Sequence, residues 1–225
     1  MSLLKKKNIL ITAGSTRGYL DAVRYITNTS TGKLGSEIAL EAMGRGAVVT
    51  YIYGADSLFP VIHERSGLKA SQLKLIEIET NNDLMKVLQE KLKNRKFDAI
   101  IHAMAVADYV PARAKQGKMS SQKEEWLAKL VKTPKVINII RASWPEAFLV
   151  GFKLEVNRTK DEIIKIARGF LTKSKANLIV ANDYKYISRN RHIAYMVTGD
   201  RKIPKPLKGK KAIAKNIISY LEKIL

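Results

Sequence analysis

The sequence predicts a Rossmann-like, doubly wound α/β domain on three observations: short apolar runs, helical periodicities alternating with them, and loops rich in glycine, hydroxyl and amide residues. Apolar runs at residues 9–11, 47–53, 98–102, 147–152 and 177–181 read as strands of a mostly parallel sheet buried on both faces, and residues 73–78 alternate as a further strand. The first helix is marked by Leu34, Ile38, Leu40 and Met43 and stops at Gly44 or Gly46. A second carries Leu84, Val87, Leu88 and Leu92 behind an Asn81 or Asn82 cap. Thr133-Pro134 has the cap and first-turn signature of a helix reaching Arg141. Residues 161–173 and 211–225 form amphipathic helices. Residues 126–131 and 192–198 each add a strand, the latter at an edge or in a hairpin, and residues 58–72 form an irregular connection. One domain spans 1–225, with a small β-hairpin or flap appendage.

Composition narrows the chemistry. At 225 residues and 46% hydrophobic content the chain can bury a full core. It has no uninterrupted apolar run of membrane-spanning length and no cleavable signal pattern at the N-terminus, so a cytoplasmic protein is expected. Zero cysteines exclude disulfides, thiolate metal sites and a cysteine nucleophile. The net charge of +21, from 41 basic and 20 acidic residues, raises nucleic-acid binding. The basic residues are nevertheless dispersed, and a positive field equally attracts a nucleotide and a phosphorylated substrate.

Function is concentrated in residues 9–35. A buried strand runs into a long loop carrying Gly14, Ser15, Thr16, Gly18, Asn28, Thr29, Ser30, Thr31 and Gly32, then into a helix. Glycines admit close approach, hydroxyls and amides hydrogen-bond, and a helix N-terminus favours anions, so a phosphorylated ligand fits. Ordinary connections in α/β units take about 2 to 6 residues, far fewer than here. Neither G-x-G-x-x-G nor a Walker loop is present, and no tyrosine has lysine four residues on, which speaks against an NAD(P)-dependent oxidoreductase. Asp56 ends the second strand too far from Gly14 for a ribose-binding acid and reads as a turn residue. His63 reads as solvated and His102 as a core histidine. Residues 109–122 are polar, basic and without period, and are expected to be a mobile flap over the carboxyl edge of the sheet.

GSTRGYLDAVRYITNTSTGKLG, at residues 14–35, closely resembles the opening motif of the phosphopantothenate-cysteine ligases. Three matches follow in that family's order: AMAVADY at 103–109, Lys118 followed by KTPKVI at 132–137, and GFKLE then LIVAND between 151 and 183. With no flavoprotein decarboxylase domain in front, the chain looks like the stand-alone bacterial form. The resemblance implies a cytoplasmic homodimer that joins 4'-phosphopantothenate and L-cysteine through an acyl cytidylate. CTP is the expected co-substrate, and Mg2+ is held mainly by the nucleotide phosphates, with no protein metal-ligand cluster. It also implies roles for residues. Asn28 and Arg24 contact the pantothenate part, with a structural role for Arg24 equally open, and Lys118 swings in with the flap to meet the α-phosphate. Gly14, Ser15 and Thr16 line the phosphate channel, and Ala105, Asp108, Pro134, Lys135, Val136, Ile137 and Phe152 hold base and ribose. Two helix lysines that contact the nucleotide in relatives align with Phe170 and Ser174, leaving Lys173 or Lys175 as substitutes.

Overall fold

The computed structural model describes residues 4–122, 124–188, 191–200 and 202–225. Arg201, which opens the last basic stretch, lies outside them. The chain begins with β1 (Asn8–Ala13), and the loop expected to follow contains a small antiparallel hairpin, β2 (Arg17–Tyr19) and β3 (Tyr25–Thr27). Then come α1 (Lys33–Gly44), β4 (Val48–Gly54), β5 (Leu73–Ile78) and α2 (Asn81–Lys86), which is continued by a wider π-type turn over Val87–Lys91. The middle of the chain supplies β6 (Ala99–His102), β7 (Tyr109–Pro111), β8 (Leu130–Lys132), α3 (Val136–Ser143) and β9 (Phe148–Glu155). It closes with α4 (Lys160–Ser174), β10 (Leu178–Asp183), β11 (Ile193–Thr198), β12 (Leu207–Lys208) and α5 (Lys210–Glu222).

The main sheet has the order β12-β11-β10-β9-β6-β1-β4-β5, parallel from β10 to β5 and antiparallel at β11 and β12. Side chains alternate across it, so Ile9 and Ile11 face one core with α1 and α5, whereas Leu10 faces another with α2, α3 and α4. From β1 the chain winds outward through β4 and β5, and from β6 the other way through β9 and β10. The order therefore reverses between β1 and β6, the place where doubly wound sheets open a crevice beyond their carboxyl ends.

Several boundaries differ from the sequence reading, each for a local reason. The second helix is capped by Thr80, whose hydroxyl accepts from the Asp83 amide while the Asp83 carboxylate accepts from Thr80 N. Thr133 does not cap α3, because its hydroxyl donates to the Ala107 carbonyl at 2.7 Å, and the helix starts at Val136. The strand expected over 126–131 shrinks to Leu130–Lys132, which pairs with β7, so the start of the flap is a hairpin arm rather than free loop. The β9 strand runs three residues past Phe152, to Glu155.

Candidate functional site

The crevice at the switch point is a cleft of about 860 Å3. Its floor is the end of β1 at Ala13 and the residues after β6. One wall is the start of α1 with its preceding residues 28–32, and the other is Pro134 to Ile137, Phe152 and Phe170. Thus Asn28, Ala105, Asp108, Pro134, Lys135, Val136, Ile137 and Phe152 come together on one surface. A smaller groove of about 410 Å3 between α1 and α5 shares no motif residue with it.

The floor is built by backbone templating. Ala103 N donates to Thr12 O, Ala105 N to Gly14 O at 2.8 Å, and Ala107 N to the Thr16 hydroxyl at 2.9 Å. Gly14, Ser15 and Thr16 therefore lie behind the cleft and shape the 103–107 segment, and they are not among the residues that line it. Gly14 has φ of +80°, and a Cβ there would collide with Ser57. The backbone of Ser15 presses against Gly54, where only hydrogen fits. Asn28 Nδ2 donates to the Ala105 carbonyl at 3.1 Å, tying the wall to the floor.

Charge in the cleft is one-sided. Asp108 is the one carboxylate on the lining among the described residues, and it pairs with Lys135 at 2.7 Å. Against it stand Lys33, Lys135, Lys153 and Lys210. Burial and then the nearby Lys33 lower the pKa of Lys210. The first turn of α1 contains no acid, and its N-cap Gly32 makes no side-chain cap, so the helix dipole adds to the positive field. His102 shares a 2.6 Å hydrogen bond with the Thr12 hydroxyl, and burial lowers it to about 4. His192 is also held neutral, at about 4, by burial and then by Lys210, with its Nε2 3.1 Å from Asn182 Nδ2. Lys33, Lys153, Lys210, Asn182 and His192 were not singled out in the sequence. They come from elements far apart in the chain, and the signals that could have found them were the helix-opening positions of Lys33 and Lys210 and the LIVAND motif.

Arg24, Lys118 and Lys173 do not line the cleft. Lys173 is exposed on α4. Phe170 lines the cleft, and Lys153 Nζ lies 6.0 Å from its ring centroid. Lys118 is exposed on the flap, which leans on the β2–β3 hairpin. Arg24 donates to Asp21 at 2.7 Å and to the Met119 carbonyl, and its guanidinium lies 5.7 Å from the centre of the Trp126 ring. The Asp21 carboxylate has no solvent exposure and accepts from the Val23, Arg24 and Met119 amides. Burial alone would raise its pKa, but these amides and Arg24 outweigh it and bring it to about 2. Among the described residues no cluster of three or more His, Asp or Glu could hold a metal ion, and no helix is long and apolar enough to cross a membrane.

Residues 4–225 match the family described as the DNA/pantothenate metabolism flavoprotein C-terminal domain. The chain belongs to this family. The bifunctional coenzyme A biosynthesis protein CoaBC of Thermococcus kodakarensis is 33% identical over 222 residues, covering 99% of this chain and 52% of that protein. The chain thus spans about half the length of the curated relatives it matches. The crystal structure of the DNA/pantothenate metabolism flavoprotein from Streptococcus pneumoniae superposes with a TM-score of 0.84 at 33% identity, covering 97% of this chain and 100% of that one. The C-terminal domain of CoaBC gives 0.77 at 30% identity, covering 100% and 98%. At the two positions where the family resemblance implies lysines, Ser174 is buried and its hydroxyl donates back to the Phe170 carbonyl at 2.7 Å, so neither Phe170 nor Ser174 offers a cation.

Proposed function

We propose that the chain joins 4'-phosphopantothenate to L-cysteine in coenzyme A biosynthesis, with CTP as activating nucleotide and CMP and pyrophosphate as products. The observation that carries this reading is the convergence of four separated motifs on a single cleft with four lysines and one carboxylate. Such a lining suits a polyphosphate more than a neutral ligand.

An amine does not displace oxide from a carboxylate. In the proposed reaction a pantothenate carboxylate oxygen therefore attacks the α-phosphorus, the bond to the bridging oxygen of the β-phosphate breaks, and pyrophosphate leaves. The cysteine amine then attacks the acyl carbonyl, the carbonyl-oxygen bond to CMP breaks, and the ammonium proton passes to solvent. The chain positions the reactants and compensates charge, without covalent catalysis. Phe152, Ile137 and Phe170 take the base, and Lys33, Lys210 and the start of α1 take phosphate. Asn28, braced on Ala105, donates to the carboxylate and then to the acyl oxygen without exchanging a proton. Lys118 meets charge on the α-phosphate when the flap closes, and Arg24 supports the pantothenate end. Mg2+ brought by the nucleotide would neutralise part of the polyphosphate charge, and Asp108 is the one lining carboxylate among the described residues that could meet it.

The reading extends to a cytoplasmic homodimer. The hairpin and flap expose Val23, Tyr25, Ile26, Trp126, Leu127, Leu130 and Val131, an apolar surface of the kind that self-association covers. Sedimentation equilibrium tests the dimer, and a monomer at micromolar concentration overturns it. The activity is tested by pyrophosphate release with phosphopantothenate and Mg2+, comparing CTP with ATP, each with and without L-cysteine. Sustained cysteine-dependent turnover with CTP is expected. Absence of release from folded protein with either nucleotide overturns the ligase, and equal rates with both overturn the CTP preference.

A further inference from the structure

The flap is tied to the rest of the molecule on both sides of Lys118. Ala22 N donates to the Gly117 carbonyl at 3.2 Å, and Lys115 N donates to the Leu20 carbonyl at 3.0 Å. Past the lysine, Met119 N donates to Asp21 Oδ2 at 3.1 Å, while the Met119 carbonyl accepts from Arg24 Nη1 at 3.3 Å. Gly117 turns the chain through φ of +74°, so the lysine sits at the crown of a short tethered loop. Every one of these tethers ends on residues 20–24, the turn between β2 and β3.

That turn is organised by one side chain. Asp21 Oδ1 accepts from Val23 N at 2.9 Å and Arg24 N at 2.8 Å, closing the turn on itself. Its Oδ2 accepts from Arg24 Nη1 at 2.7 Å and from Met119 N, reaching out to the flap. A carboxylate with no exposed surface is costly to bury unless its lone pairs are filled, and here four donors fill them. Two donors belong to the hairpin backbone, one to Arg24 and one to the flap, so a single carboxylate couples all three.

We infer that Asp21 is a positioning residue that latches the flap to the hairpin turn and so sets where Lys118 stands. The inference rests on the proposed role of Lys118 for its effect on rate, but the latch itself is a statement about geometry. Asp21 touches no substrate. It acts through the Met119 amide and through Arg24, keeping the flap lysine and the hairpin arginine in fixed relation. Loss of the carboxylate uncouples the flap from the hairpin without removing Lys118, and the two no longer close on the cleft as one piece.

The test is a double-mutant cycle between Asp21→Asn and Lys118→Gln, read in pyrophosphate release and in flap protection. Asp21→Asn keeps the size of the side chain but turns one oxygen into a donor that faces Met119 N and Arg24. Expected are an unchanged circular dichroism spectrum, faster hydrogen exchange at the Met119 amide, and faster trypsin cleavage after Lys115 and Lys118. In turnover, kcat should fall by about tenfold or more with KM for CTP nearly constant, as small misplacements of a reacting group cost rate. In the Lys118→Gln background Asp21→Asn should add little, because both changes remove the same contribution. Equal losses in both backgrounds would mean that Asp21 does not act through Lys118, and unchanged Met119 exchange would remove the latch altogether. If Asp21→Asn unfolds, Met119→Pro, which removes the flap's backbone donor, must reproduce the faster tryptic cleavage after Lys115, the bond between Lys118 and the new proline being itself resistant to trypsin, and native-like cleavage after Lys115 overturns the latch. Wild-type activity of Lys118→Gln would instead overturn the lysine's catalytic role, leaving the exchange and proteolysis results to decide the latch.

Discussion

The cleft and the hairpin-flap appendage are held together in opposite ways. The cleft stands on strands buried on both faces, where Leu10, Ile100, Ile179 and their neighbours make two continuous cores. The appendage is made of two pairs of three-residue strands with β3 and β8 wholly exposed, and its order comes from one buried carboxylate, a few backbone bonds and the surface contacts of Arg17 and Tyr19 with Asp56, Glu79 and Tyr25. Packing fixes the first, and polar satisfaction fixes the second. Under the proposed function the cleft holds a nucleotide, which gains from packing, and the flap opens and closes, which suits polar tethering.

The largest expected effects fall on the packed half. Ile179→Ala removes a side chain with no exposed surface and should cost about 2 to 5 kcal/mol in denaturant unfolding, with function lost only in proportion to unfolding. Outside the core, Lys118→Gln on the flap and Asn28→Asp on the cleft wall should each lower pyrophosphate release by about a hundredfold with the melting temperature unmoved, the size seen when one preorganised charge-stabilising donor is removed. Wild-type rates in both variants would dissolve the assignment of these residues.

Acid should separate the two regions by window. The folded pKa of His102, about 4, lies below its ordinary 6.5, so the unfolded chain takes the proton first as pH falls. The stability it contributes is complete above about 6.5 and declines toward 4 by roughly 1 kcal/mol per pH unit, readable as a falling melting temperature. Asp21, brought down to about 2 from 3.8, keeps its contribution above 3.8 and loses it only as pH drops toward 2. In a Trp144→Phe background, which leaves Trp126 as the one tryptophan, fluorescence of Trp126, whose ring Arg24 approaches, should therefore shift only below the window in which the core weakens. A simultaneous shift would show that the hairpin has no separate acid response. The smallest change is expected from Leu127→Ala, where 91% exposure predicts a stability effect within about 0.5 kcal/mol. A larger loss that grows with protein concentration would point to a subunit interface at that residue.

The same contrast explains what the sequence made legible. Strands such as Leu178–Asp183, buried at every position, announce themselves as apolar runs, and the sheet with its switch point follows from their alternation with helices. The hairpin of Arg17–Tyr19 and Tyr25–Thr27 was invisible, because three-residue strands are too short to show a period. Thr80 was passed over for Asn81 although Asp83 stands three residues on, the spacing of a capping box. In the cleft, motif residues, Lys135 among them, were found and the other three lysines were not. Lys33, Lys153 and Lys210 meet only in three dimensions, and a chain with 41 basic residues hides them among solvated ones. Gly14 to Thr16 read in sequence as residues that meet phosphate, and in the structure they template the backbone behind the cleft, two uses of glycine and hydroxyls that a sequence does not distinguish.

The central chemical claim is that the pantothenate carboxylate is activated on the α-phosphorus. Phosphopantothenate labelled with oxygen-18 in its carboxylate, turned over with CTP, Mg2+ and cysteine, tests it in one mass spectrum. The acyl-cytidylate route transfers one labelled oxygen to CMP and leaves pyrophosphate unlabelled. Label in inorganic phosphate, with CDP as the nucleotide product, would mean activation on the γ-phosphorus and would contradict the mechanism.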